Sequence, residues 1–189
     1  YVVVAESEGE RNGAREPGNR TAETNMGDLI TDAMPWAIKT KAHSVDRAID
    51  VAITNGGGIR ADIKAGDITF EDIINVHPFS NEACVVKVSG QAILDALELG
   101  CSKLPAESGG FLQVSGMTYT VDLNVESTVK LDENGMFVEV EGERRVKDVT
   151  IGGEPLDPEK TYTLASHNYK LKDCGDGYSM FADNVFLQD

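Results

Sequence analysis

The chain is short of basic charge, of cysteines spaced to share a metal, and of long apolar runs. Cys84, Cys101 and Cys174 are odd in number and lack C-x-x-C spacing, which disfavours a closed disulfide framework or a zinc knuckle. They read as small, partly buried thiols, and a bridge between one pair stays open as an alternative. No stretch approaches the roughly 20 apolar residues that a membrane-spanning helix needs, and no basic-then-apolar segment opens the chain. Only 17 Lys and Arg stand against 32 Asp and Glu, a net charge of −15. That balance disfavours nucleic-acid polymers and anionic membranes as partners. A small anionic ligand remains compatible, provided a few arginines or lysines gather locally. The strand-like opening Tyr-Val-Val-Val-Ala has no initiator Met ahead of it, so the segment reads as excised from a longer chain.

What is present suffices for a core. With 189 residues, 41% of them hydrophobic, the chain can fold without staples, and residues 1–189 read as one domain. Residues 11–20, with Gly13, Pro17 and Gly18, read as an exposed polar loop. A helix follows, capped by Thr24 or Asn25, with Leu29, Ile30, Ala33, Ala37 and Ile38 on one apolar face. Pro35 inside it predicts a kink or an early end. Residues 50–54 read as a buried strand that runs into three glycines, and 69–76 as a short helix with Thr69 and Asp72 close to a capping box. Residues 83–88 alternate like a strand, and Ser89 caps a helix with Ile93, Ala96, Leu97 and Gly100 on one face. From Gly109 to about Ala165 the pattern is strands broken at 133–135, 141–142 and 152–153. Strands and helices mix without strict βαβ alternation, which favours two sheets with helices packed outside over a doubly wound fold.

Three segments carry chemistry. In Asn55-Gly-Gly-Gly-Ile-Arg60 the glycines let backbone approach a ligand, the amide both donates and accepts, and the Arg fork suits an anionic oxygen. A plain tight turn is the alternative. Gly175-Asp176-Gly177 aims a carboxylate between flexible residues, as an acceptor for paired ribose hydroxyls or as an Asx turn. His77-Pro78-Phe79 and Asn168-Tyr169 each set an aromatic ring beside polar or turn-forming residues, where two rings can sandwich a base or simply pack in the core.

In this order and with these intervals, the segments resemble the C-terminal domain of the 5′-nucleotidase family, which includes UDP-sugar hydrolases and 2′,3′-cyclic-nucleotide phosphodiesterases. The likeness covers almost the whole chain. It runs from Glu23-Thr-Asn-Met-Gly-Asp-Leu-Ile through Asn55–Arg60, Val76-His-Pro-Phe79, the helix after Gly90 and Gly110-Phe-Leu-Gln-Val-Ser-Gly116 to the final Gly-Asp-Gly. The resemblance implies an α/β fold in a four-layer α/β/β/α sandwich. It also implies Arg20 and Arg60 for the anionic side of a nucleotide, with Arg15 as the alternative to Arg20. Asn55, with Gly57 in its loop, would take the base edge, Phe79 and Tyr169 the stack, and Asp176 the ribose. His77 stands where the family usually has an apolar residue, Tyr169 replaces a Phe, and the 168–175 loop is longer than in many relatives.

The family's hydrolysis uses two divalent metal ions in a preceding metallophosphoesterase domain. The three histidines here, His43, His77 and His167, lie outside Asp-x-His, Gly-Asn-His-Glu or Gly-His-x-His settings, so no metal ligand is assigned to them. His43 reads as a solvated helix end, His77 as a turn residue and His167 as a structural neighbour of the base site. The resemblance implies an extracytoplasmic hydrolase whose substrate-recognition domain is this chain, with a nucleotide or nucleoside and the N-terminal domain as partners. A non-catalytic nucleotide-binding module is the alternative, and an adhesive surface domain a third.

Overall fold

The computed structural model describes residues 2–41 and 48–188, with side chains apart from those at 16, 17, 41 and 188. Tyr1 and His43, both read from the sequence above, lie outside the described residues. In chain order, strand β1 (Val3–Ser7) precedes a π-helical turn (Arg15–Asn19) and helix α1 (Asn25–Lys41). Strand β2 (Val51–Asn55) runs into a 3-10 turn of glycines (Gly56–Gly58), followed by β3 (Gly66–Thr69), α2 (Phe70–Val76), β4 (Ala83–Ser89) and α3 (Gly90–Cys101). Strands β5 (Leu112–Ser115), β6 (Met117–Val121), β7 (Val129–Leu131), β8 (Phe137–Val140), β9 (Val146–Ile151), β10 (Glu154–Pro155) and β11 (Thr161–His167) come next. The short helix α4 (Asn168–Leu171), 3-10 turns at Gly175–Gly177 and Ser179–Phe181, and β12 (Val185–Gln188) close the described chain.

A five-stranded sheet in the order β12-β4-β11-β2-β5 is the centre of the fold. Its β11–β2 pair is parallel and its other pairs antiparallel. The alternation of a strand decides what each face meets. Cys84, Val86 and Val88 of β4 pack with Ile93, Ala96 and Leu97 of α3, while Val85 points the other way to Ala52, Ala165 and Ile38 of α1. The smaller sheet β10-β9-β6 contributes Val146, Val149 and Ile151 to the first of these cores, and the β7–β8 hairpin contributes Phe137. Helix α1 therefore covers one face of the large sheet, and α3 with the smaller sheets gathers on the other. The result is the mixed α/β class that the sequence predicts, with four sheets among the described residues where the sequence pattern favours two.

The helix starts follow the capping chemistry. Thr24 accepts from the Gly27 N–H at 3.0 Å, Thr69 and Asp72 form a reciprocal capping box, and Ser89 accepts from Ala92. Helix α1 departs from expectation in two ways. It continues through Pro35 to Lys41, because Ile38 beyond the proline is anchored against Ala52, Val85 and Ala165. Its buried positions are Met26, Gly27, Thr31 and Ile38, whereas Leu29 is 44% exposed and Ala33 is exposed. The expected exposed loop at 11–20 is also partly internal. Gly13, Gly18 and Asn19 are buried, and Arg11 bridges to Ile63. All three cysteines are buried, and among the described residues no disulfide joins them.

Candidate functional site

Strands β2 and β11 run parallel side by side, so their C-terminal ends emerge at one edge of the sheet. Such an edge is where loops after parallel strands build a crevice. Asn55 ends β2, and β11 leads directly into Asn168, Tyr169 and the turn that holds Asp176. Antiparallel β4 begins at the same edge, with Ala83 opposite His167, which brings the 77–82 turn there. Antiparallel β5 likewise begins opposite Asn55 and brings Gly109. Four stretches far apart in sequence converge through sheet order alone.

Asn55 donates through Nδ2 to the Gly109 carbonyl at 3.3 Å and to Asp176 Oδ2 at 3.1 Å. Its Oδ1 is buried and, among the described residues, accepts no hydrogen bond. The Gly57 N–H donates to the Gly109 carbonyl at 2.8 Å, and a Cβ on Gly57 would stand 2.9 Å from that oxygen. A side chain on Gly56 would strike the Asn19 carbonyl at 1.8 Å. The glycines thus serve close backbone approach to neighbouring loops.

Asp176 sits in the left-handed region at φ 59°, ψ 21°. Its Oδ1 accepts from the Tyr169 hydroxyl at 3.0 Å, and its Oδ2 accepts from Lys170 Nζ at 2.5 Å as well as from Asn55. The Tyr169 ring lies directly over Gly175, where a Cβ would fall 2.3 Å from its Cζ. Burial and the Asp176 carboxylate push the Tyr169 hydroxyl up from its ordinary pKa, so it stays protonated and donates.

Asn55, Gly57, Phe79, Tyr169 and Asp176 line one cavity of about 390 Å³, with Gly58 and Asn81. The volume lies within the usual range of small-molecule sites. Phe79 is 54% exposed, so its ring is available to a ligand. Arg60 and Arg20 stand outside that lining. The Arg60 guanidinium lies 5.8 Å from the Phe79 ring centroid, and its Nη1 donates to the Gly57 carbonyl at 3.2 Å. Burial lowers the Arg20 pKa, followed by repulsion from Arg15, with Glu107 opposing; Arg60 and Asp176 act on it more weakly, in opposite directions. Arg15 pairs with Glu107, its Nε donating to Oε2 at 2.7 Å. A neighbouring hollow of about 510 Å³ shares Phe79 and Asn81 but is walled mainly by apolar side chains of α1 and α2.

Two residues that hold this arrangement went unmarked in the sequence. Gln113 donates to the carbonyls of Asn19 at 3.1 Å and Ala22 at 2.7 Å and accepts from the Thr24 N–H at 3.1 Å, which fixes the segment bearing Arg20. Gly27 is bare because this amide lies over it, 2.0 Å from where its Cβ would be. A polar Gln inside the apolar run Phe-Leu-Gln-Val was the available signal. Lys170 is fully buried and left no signal, since lysines are almost always exposed.

His167 is buried, with Nε2 at 3.3 Å from Thr54 Oγ1 and Nδ1 without a hydrogen-bond partner among the described residues. Burial, then Lys170 and His77, push its pKa down to about 4. Burial lowers that of His77 too. Both imidazoles are neutral at pH 7. Among the described residues no three His, Cys, Asp or Glu side chains come together as a metal site, and no helix is long and apolar enough to cross a membrane.

Residues 3–183 match the family model of the 5′-nucleotidase C-terminal domain. The chain belongs to this family. It is 38% identical over 170 residues to the trifunctional nucleotide phosphoesterase protein YfkN of Bacillus subtilis, an alignment covering 90% of this chain and 10% of that protein. It is 32% identical over 183 residues to the 5′-nucleotidase of Vibrio cholerae, covering 97% of this chain and 27% of that one. Its backbone superposes on the 5′-nucleotidase precursor of Thermus thermophilus with a TM-score of 0.80 and 34% identity, covering 98% of this chain and 33% of that chain. The chain thus spans between a tenth and a third of the length of these 5′-nucleotidase-family proteins.

Proposed function

We propose that this domain is the nucleotide-recognition part of a longer, extracytoplasmic 5′-nucleotidase-type hydrolase, acting on nucleoside 5′-phosphates or 2′,3′-cyclic nucleotides. The reading rests on the convergence of Asn55, Phe79, Tyr169 and Asp176 around one cavity of nucleoside size. In this reading the base stacks between Phe79 and Tyr169, the buried Oδ1 of Asn55, unpartnered among the described residues, accepts from the base edge, and Asp176 takes ribose hydroxyl. Arg20 and Arg60 receive the phosphate, which a chain of net charge −15 would otherwise repel. Hydrolysis is assigned to a preceding metallophosphoesterase domain holding two divalent ions, which would neutralise phosphate charge and activate water. The family membership and the nucleotide phosphoesterase and 5′-nucleotidase relatives support that assignment.

The test separates binding from cutting. The 189-residue chain is titrated with adenosine and AMP, and phosphate release is followed with AMP, 2′,3′-cyclic AMP and UDP-glucose in the presence of Mn²⁺, Zn²⁺ or Co²⁺. Saturable binding without metal-dependent turnover is expected. Turnover matching that of a longer chain with its preceding domain would place the catalytic site here and overturn the division of labour.

A further inference from the structure

Lys170 is the one lysine that the fold encloses completely among the described residues, at 0% exposure. Its ammonium donates to the Gly175 carbonyl at 3.0 Å and to Asp176 Oδ2 at 2.5 Å. It also lies 4.0 Å from the Tyr178 ring centroid and 5.3 Å from that of Tyr169. Enclosing a long charged side chain costs desolvation and rotamer entropy. A lysine whose only task was to fill space would be better replaced by an apolar residue of similar length. Two of the residues it contacts, Asp176 and Tyr169, are instead those assigned to ribose and base.

Without Lys170 the carboxylate of Asp176 would be held by the neutral donors Asn55 and Tyr169 alone. Asp176 stands on a left-handed residue between two glycines, a stretch with little intrinsic preference for one conformation. Asn55 and Lys170 both hold Oδ2, which leaves Oδ1 turned to the Tyr169 hydroxyl. We propose that Lys170 is a positioning residue of the nucleoside site: its buried ammonium fixes Asp176 and, through it, Tyr169, so that nucleoside affinity depends on the charge of that ammonium. The inference rests on the nucleoside-binding reading given above.

The surroundings make that charge adjustable. The charged group that faces Lys170 is Asp176 on the turn, with neutral His167 at the end of β11 close enough to feel the ammonium; Lys172 and Asp173 follow on its own segment, and Glu82, just before β4, donates its backbone N–H to Asn168 Oδ1. Burial, opposed by Asp176, pushes the Lys170 pKa down to about 8. His167 and His77 titrate below this region, and Tyr169 and Cys174 are raised away from it. Binding and stability then respond with opposite sign. The folded-state pKa lies below the roughly 10.5 of a free lysine, so between the two values the unfolded chain binds more protons, and this group's contribution to stability rises with pH. Affinity, which needs the ammonium, falls over the same range. A lysine with a purely structural role would not lower affinity while stability rose.

The experiment titrates adenosine, which does not ionise in this range, into the wild-type chain and into Lys170→Met and Lys170→Gln from about pH 6.5 to about pH 9.5, with urea unfolding alongside. Wild-type affinity is expected to fall about five- to tenfold as pH passes about 8, the size expected for losing a charge-assisted hydrogen bond. Folded Lys170→Met is expected to bind about tenfold more weakly at pH 7, with no pH dependence in this range. The wild-type profile decides the matter even if neither variant folds. A flat wild-type profile, or a folded variant binding like the wild type, overturns the role of Lys170 alone. Absence of adenosine binding by the wild type at every pH overturns the nucleoside reading and this inference with it.

Discussion

Asn55 and Asp176, 121 positions apart in the chain, meet through a 3.1 Å hydrogen bond from Nδ2 to Oδ2. The contact exists because β2 and β11 are parallel neighbours whose ends share an edge. Asp176→Ala removes an acceptor used by Asn55, Tyr169 and Lys170 at once and leaves a buried ammonium unpaired. A loss of about 3 kcal/mol in unfolding free energy is expected at pH 7. It should shrink by pH 9, where Lys170 sheds its proton. Urea denaturation at both values checks this; an equal loss at both would mean the ammonium is not the cause.

Phe79 presents an exposed ring to the cavity. Phe79→Ala is expected to weaken adenosine binding by about 1–3 kcal/mol while changing stability by less than about 0.5 kcal/mol. Calorimetric titration of the folded variant measures it, and unchanged affinity would remove this ring from the stack.

Arg60 has an observed contact with the Gly57 carbonyl and a proposed task, reading phosphate, and a substitution can separate them. Arg60→Lys keeps the charge but loses the planar fork. AMP affinity is expected to drop about tenfold, whereas adenosine, without phosphate, should change by no more than about twofold. If both ligands weaken equally, Arg60 supports the Gly57 carbonyl and the Phe79 ring and does not read phosphate.

His167 makes its own contribution to the pH dependence of stability on the acid side. Its folded pKa of about 4 lies below the free value of about 6.5, so the unfolded chain binds more protons between them. The stability it contributes is complete above about pH 6.5 and is lost as pH falls toward 4, at no more than about 1.4 kcal/mol per unit. The difference between wild type and His167→Gln, followed by urea unfolding over this range, should show that slope. A flat difference would contradict the burial of a neutral imidazole.

The local patterns of the fold were legible because each element carries its own signal: Thr69 with Asp72, Ser89 before its helix, and the all-buried β2 with glycines behind it. Pro35 misled because propensity speaks of an isolated helix, and Ile38 packing on the sheet overrides it. Leu29 and Ala33 have helical spacing with the core residues but line the apolar hollow between α1 and α2. At the site, the Asn55, Phe79 and Gly-Asp-Gly segments were readable as motifs. What binds them together was not. Gln113 reaches Asn19 across 94 positions, and Lys170 is buried against expectation, both through sheet order that no local window contains.

The claim on which the rest depends is that a nucleoside occupies the cavity bounded by Asn55, Phe79, Tyr169 and Asp176. The most direct measurement is a crystal structure of the chain with adenosine. The adenine ring is predicted between Phe79 and Tyr169, with Asn55 Oδ1 accepting from the base and Asp176 accepting from the ribose. Adenosine seated in the apolar hollow of α1 and α2, or bound with Phe79 and Asp176 untouched, would contradict the account.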